Sequence, residues 1–344
     1  MAQRVRTAAL PWIRLPDEEL LQLRLCDLGL SVESSPVKGY VRRLYSELEG
    51  RGIRFRPHVW LGEEWFSPDG VPGIAVPFYL AHPRLERLER RIMRTVEGGN
   101  ARWMMRILRH EAGHALDNAY RLRRRKCWRE VFGPASQPYP ERYRARPGSR
   151  RYVHHLGEWY AQSHPTEDFA ETFAVWLKPH SDWRKSYADW PAFEKLQLVE
   201  ALMTRVRGEA VRVRNRRRVE PIDVNRRTLA QHYQRKLAHH RQYRRGVAED
   251  MLHRVFSDER AHSNTMRAST LLRTQKQVLV PAVARALATP RYSVHQMLRL
   301  LIERSEARRL YVRGNRREAA RHARSMLTRI TRLYAEGETP HLSL

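Results

Sequence analysis

The stretch that most constrains this chain is His110-Glu111-Ala112-Gly113-His114, an H-E-x-x-H pattern inside a run with helical periodicity. On a helix, residues four apart share one face, so His110 and His114 can offer two imidazole nitrogens to one cation. Glu111 then stands beside that cation as a base rather than as a ligand. The helix is well marked. Gly98-Gly99 breaks what precedes, Asn100 is a good N-cap, and Trp103, Met104, Ile107, Leu108, Ala112, Ala115 and Leu116 recur at helical spacing. A glycine inside a helix costs about 1 kcal/mol relative to alanine, so Gly113 implies close packing or close substrate approach. Asp117, three residues past His114, is a candidate to orient a ligand from behind. The plain alternative is an amphipathic helix with two surface histidines.

A second segment, His164-Pro165-Thr166-Glu167-Asp168-Phe169-Ala170-Glu171-Thr172-Phe173-Ala174, reads as another helix, with Ser163 or Thr166 as cap and Pro165 in the first turn. Phe169, Phe173, Trp176 and Leu177 form its apolar stripe. Glu167 and Glu171 are four apart on a face that also carries Ala170 and Ala174. Two carboxylates facing a packed interior need a cation or a donor. Glu167 is the candidate third ligand, and Glu171 the candidate acceptor of a ligand histidine's N–H. A solvated acidic first turn, favoured by the helix dipole, is the plain alternative.

Together the two segments resemble the gluzincin arrangement of zinc metallopeptidases, in which H-E-x-x-H is followed by a helix bearing E-x-x-x-[DE]. More closely, they are similar to a family of zinc-binding metallopeptidases with an H-P-x-E-D-[FW]-A-E-[TD]-[FW]-A signature. The likeness extends to lethal-factor-like enzymes, in which a tyrosine seven residues before the ligand glutamate assists the oxyanion; Tyr160 holds that offset from Glu167. The resemblance implies Zn²⁺ on His110, His114 and Glu167, Glu111 as general base, Tyr160 as oxyanion donor, and a peptide or protein substrate. Tyr160 in the Trp159-Tyr160 pair also suits a packing role. His154, His155 and His164 compete as donors or third ligand. The chain lacks the Gly and His of the H-E-x-x-H-x-x-G-x-x-H pattern.

The expected fold class is α+β: a zincin-like domain over residues 1–200 with a small mixed sheet and an active-site helix, then a basic, mainly helical region over 201–344. Asp17–Leu28 and Val37–Glu49 have helical periodicity. Arg54 to Pro83 reads as extended, and Pro77 makes Ile74–Leu80 a candidate edge strand that could take an extended substrate. Beyond residue 200, Leu229, Tyr233 and Leu237 form one helical stripe and Val294, Met297, Leu298, Leu301 and Ile302 another, with Pro281, Pro290 and Gly314-Asn315 as punctuation. No Gly/Ser- or Pro-rich linker separates the halves, which favours helices packed on the first domain.

Charge is the second unusual feature. The 344 residues carry a net +28, with arginine runs such as Arg121 to Lys126 and Arg214 to Arg218. Such a field attracts nucleic acid, an anionic membrane surface or an acidic substrate, or it is simply a solvated arginine-rich surface. No zinc finger or RNP signature supports base reading. No apolar run approaches the roughly 18 residues of a membrane span. Met1-Ala2-Gln3-Arg4 has no apolar leader, and Cys26 and Cys127 make no disulfide framework, so a cytoplasmic protein is expected. The function expected is zinc-dependent hydrolysis of a peptide bond. The alternatives are a nucleic-acid- or partner-binding protein on a zincin scaffold, and a zinc amidase acting on a modified peptide.

Overall fold

Residues 10–93, 95–140, 145–146, 149–157, 159–243, 247–258 and 263–336 are described in a computed structural model of the chain. The N-terminal stretch read for a leader lies outside them. The chain divides into two compact units. The first comprises 1–137 and 165–239, and the second 138–164 and 240–344. The boundary expected at residue 200 falls inside a helix of the first unit.

In the first unit the helices are α1 (Asp17–Gln22), α2 (Val37–Gly50), α3 (Pro83–Met93), α4 (Ala101–Tyr120), α5 (Lys126–Phe132), α6 (Pro165–Leu177), α7 (Trp183–Ser186), α8 (Ala192–Val206) and α9 (Leu229–Tyr243), which runs on past the unit boundary. The helix expected over Asp17–Leu28 is split: α1 ends at Gln22 and a 3-10 turn occupies Leu25–Leu28. The cause is backbone pairing. Leu25 N–H donates to Arg227 C=O and Leu229 N–H to Leu23 C=O, so residues 23–25 are held extended against 227–229.

Two strands follow α2, β1 (His58–Gly62) and β2 (Gly73–Pro77), paired in parallel with His58 opposite Gly73. β2 is buried along its whole length. Its far side is occupied too, because Ala75 N–H donates to Phe66 C=O at 2.8 Å. The Ile74–Leu80 run is therefore an internal strand ended by Pro77, and a 3-10 turn takes over at Phe78–Ala81. A free edge is not what the proline marked.

Residues beyond 205 complete this unit. Arg212 and Val213 N–H groups both donate to Ala119 C=O near the end of α4. The Trp60 indole donates to Val219 C=O at 2.9 Å.

In the second unit, α10 (Val247–Val255), α11 (Ala268–Thr274), α12 (Lys276–Ala286), α13 (Arg291–Ala307) and α14 (Arg316–Glu336) accompany β3 (Phe256–Ser257), β4 (Ser263–Arg267) and β5 (Tyr311–Arg313). The strands form an antiparallel sheet in the order β3-β5-β4. The core is aliphatic, with Leu252, Leu271, Leu272, Val283, Leu298, Leu301, Leu327 and Ile330 at its centre. Pro281 lies within α12 and does not end it. No described helix is long and apolar enough to cross a membrane.

Candidate metal centre

The centre is built on α4 and α6. Asn100 caps α4 as its sequence suggests, its side chain accepting from Trp103 N–H at 2.9 Å. α4 and α6 approach closely at Gly113. A Cβ placed there would lie 2.9 Å from Ala170 Cα and 3.2 Å from Phe173 Cδ1. A side chain at this position would meet backbone, so the helix-weakening glycine serves packing. That approach carries the α6 carboxylates to the α4 imidazoles.

Three donor atoms converge. Glu167 Oε2 lies 3.0 Å from His110 Nε2 and 3.1 Å from His114 Nε2, and the two Nε2 atoms are 3.1 Å apart. Tetrahedral zinc with bonds of roughly 2.0–2.1 Å spaces its ligand atoms about 3.3 Å apart, close to this triangle. Behind it, Glu171 Oε1 lies 3.0 Å from His110 Nδ1. With a cation at Nε2, that contact would place the His110 proton on Nδ1 and leave Nε2 free to ligate. Two imidazole nitrogens and a carboxylate facing one another can be satisfied by a shared cation. The chemistry of the donor set thus fits zinc.

Electrostatics agree. Burial lowers His110, yet hydrogen bonds and charge from Glu167 and Glu171 override it and hold the ring up at about 10. Burial raises Glu167, and His114 and His110 carry it well below the usual carboxylate range. The site therefore favours positive charge at its middle. Glu111 is buried beside it, its carboxyl raised by burial and lowered in part by His110 and His114. It has no hydrogen-bond partner among the described residues, which leaves it available to take a proton.

Each of the other sequence candidates has its own surroundings. Asp117 does not hydrogen-bond His114. Its Oδ1 accepts Arg123 N–H at 2.7 Å and its Oδ2 accepts Arg123 Nε at 2.5 Å, which secures the left-handed exit of α4 at Arg121. Tyr160 lies half-buried in a 3-10 turn, Tyr160–Gln162, within the second unit. His154 contacts the Tyr292 hydroxyl at 3.1 Å, and His164 stacks on Tyr139 with ring centroids 3.9 Å apart. Among the described residues, His110, His114 and Glu167 form the only group of three or more His, Cys, Asp or Glu donors able to hold a metal, so none of His154, His155 and His164 joins it.

Sequence reasoning missed the supports of the centre. Arg109, next to His110, is buried in a two-point pair with Glu47 of α2, at 2.6 and 2.7 Å. Asp168, next to Glu167, is buried against Lys195 of α8 at 2.5 Å. Burial pushes the Asp168 carboxyl up to about 7 against the pull of Lys195. The signal for Glu47 was a charge bordering the Val41-Leu44-Leu48 apolar stripe of α2.

The fold is α+β, consistent with a zincin-like domain, and among the described residues it brings together two histidines and one carboxylate able to hold a metal. Residues 84–188, which contain α4 and α6, match the model of the family described as "Putative zinc-binding metallo-peptidase". This is the family that the H-E-x-x-H and H-P-x-E-D-F-A-E segments resemble. No curated protein and no solved structure matches the chain.

Proposed function

We propose that this chain is a gluzincin-type peptidase in which His110, His114 and Glu167 hold zinc and Glu111 is the general base. The observation that carries the reading is the donor triangle with a partnerless buried carboxylate beside it. Bound zinc supplies Lewis acidity toward a scissile carbonyl and acidifies water. Glu111 takes the proton of the attacking water and delivers it to the leaving amine. Glu171 fixes the tautomer and ring angle of His110, so that its Nε2 keeps its direction through turnover. Tyr160 is the proposed donor to the developing oxyanion, on the strength of its offset from Glu167. The free thiols of Cys26 and Cys127 suit the cytoplasmic placement that belongs to this proposal.

The test is zinc analysis of the purified protein with cleavage profiling on a peptide library, beside Glu111→Gln. Zinc without any Glu111-dependent peptide cleavage would refute it. In that event a zinc amidase is distinguished by the same assay on modified amides. The binding alternative is supported by an exposed face of α14 lined by Arg321, Arg324, Ser325, Thr328, Arg329 and Arg332. It requires polyanion binding that weakens steeply with salt.

A further inference from the structure

Arginines in both units meet carboxylates: Arg84 pairs with Asp17, Arg125 with Glu209, Arg184 with Glu200 and Arg273 with Glu306. Helix α14 departs from this habit. From residue 319 to residue 335 it contains no Asp or Glu. Arg321, Arg324, Arg329 and Arg332 are exposed, and among the described residues none of the four has a hydrogen bond or an ion pair. A surface that is merely solvated interleaves both signs of charge. Here one sign is gathered on one face and left without partners inside the chain.

The layout of that face is set by the helix. Ala319, Ala323, Met326, Leu327 and Ile330 are buried in the aliphatic core, which fixes the opposite side outward. With about 3.6 residues per turn, Arg321, Ser325, Thr328 and Arg332 fall in one row, with Arg324 on one flank and Arg329 on the other. These six side chains line one open hollow. Thr328 Oγ1 donates back to Arg324 C=O at 2.9 Å, so the hydroxyl left to face outward is that of Ser325. Arg321 and Arg332 are eleven residues apart, about 16 Å along the axis. Over that length a nucleic-acid duplex presents roughly ten phosphates.

The residue types narrow the partner. A guanidinium meets a phosphate through two parallel N–H bonds, and serine hydroxyls are common phosphate donors. Between residues 321 and 332 there is no Phe, Tyr or Trp on which the bases of a single strand could stack. A helix that lies in a bilayer surface needs its apolar side free for lipid, and that side of α14 is in the core. Nor does the row carry Asn or Gln for adenine edges.

We propose that the exposed face of α14 binds the phosphate backbone of a nucleic-acid duplex, without reading its sequence, through Arg321, Arg324, Arg329 and Arg332, with Ser325 as a further donor. The proposal is independent of the peptidase reading: it gives the second unit a partner of its own, whatever the metal centre hydrolyses.

The test is fluorescence anisotropy of the full-length protein with a DNA duplex of arbitrary sequence, about two helical turns long, between about 50 and 200 mM salt. Each phosphate contact contributes close to 0.9 to the slope of log Kd against log salt. Replacing the four arginines by Gln, a good helix former, should therefore lower that slope by about 3–4 and weaken Kd at least about 10²-fold at the lower salt. Arg324→Gln with Arg329→Gln should lower the slope by about 2, and carries the test if the fourfold variant folds poorly. The control removes the same charge from exposed positions of the first unit, with Arg124→Gln, Arg214→Gln, Arg216→Gln and Arg217→Gln. It should change the slope by less than about 1. An equal loss in the control shows attraction by net charge alone and overturns the proposal. So does absence of duplex binding by the wild type, tighter binding of a single strand of equal length, or preference for phosphatidylserine vesicles. Duplex binding without Glu111-dependent cleavage keeps the face and removes the peptidase; cleavage without duplex binding does the reverse.

Discussion

The two units treat charge in opposite ways. Among the described residues, every buried Asp, Glu and Arg belongs to the first unit: Glu47, Glu89, Arg109, Glu111, Asp117, Glu167, Asp168 and Glu171. The second unit buries neutral groups such as Ser269, Gln296, Ser305 and Thr331, with His155 and His164. Among the described residues its arginines are exposed, those of α14 among them, or half-buried, as Arg304 and Arg308 are. Burying a charge is expensive unless a partner meets it. A unit that does so repeatedly, around one pair of helices, is organised for chemistry at some expense in stability. The second unit follows the rule for a stable helical core and carries its positive charge outward, where it acts at long range.

The largest expected effect concerns where the first unit ends. Stopping the chain at residue 205 removes the Ala119 and Val219 contacts and all of α9 with Lys236. The 1–205 fragment should be insoluble or free of zinc. A soluble, zinc-loaded and active fragment would break the comparison by making the first unit smaller than its packing indicates.

At the centre, Glu167→Ala should abolish stoichiometric zinc, as should His110→Ala with His114→Ala; metal analysis decides. Glu111→Gln should keep zinc and lose about 10²–10⁴-fold in turnover, the range for a missing general base.

Next come the supports. Glu47→Ala leaves Arg109 buried without its two-point partner and should cost about 3–5 kcal/mol. Arg324→Ala on the exposed face of α14 should stay within about 0.5 kcal/mol. Denaturant midpoints of the two variants sharpen the contrast, and equal losses would remove it. Gly113→Ala pushes a methyl into the Ala170 backbone and should cost about 1–3 kcal/mol, with a parallel drop in zinc affinity.

The smallest effect is in acid. Burial would raise Glu63, but His232, Arg227 and Asn225 hold it down at about 2. A depressed carboxylate stabilises fully above its ordinary value, near 4.5, and that contribution fades as pH falls toward 2. Glu63→Gln should therefore lower stability at neutral pH and flatten the loss between those limits. Urea midpoints measured across that window check the sign.

Much of the centre was legible in the sequence, because helical periodicity is a local property. The i,i+4 spacing put His110 and His114 on one face and Glu167 and Glu171 on another, and Asn100 and Pro165 set the helix starts without reference to any other part of the chain. The glycine in α4 announced a close approach but could not name Ala170 as the neighbour. Which carboxylate met which nitrogen, the pairing of Arg109 with Glu47, and the turn of Asp117 toward Arg123 depended on contacts between segments far apart or on a left-handed backbone turn. Composition does not encode these. The same holds for strand β2, whose proline looked like an edge until Phe66 was found on its far side. It holds for residues 206–239, which read as part of a basic helical region favoured to pack on the first domain, but whose hydrogen bonds to α4, β1 and the segment after α1 no local pattern named. Local pattern determined the elements and their reactive faces. Tertiary packing decided partners, because a buried charge is satisfied by whichever opposite group the fold brings within reach.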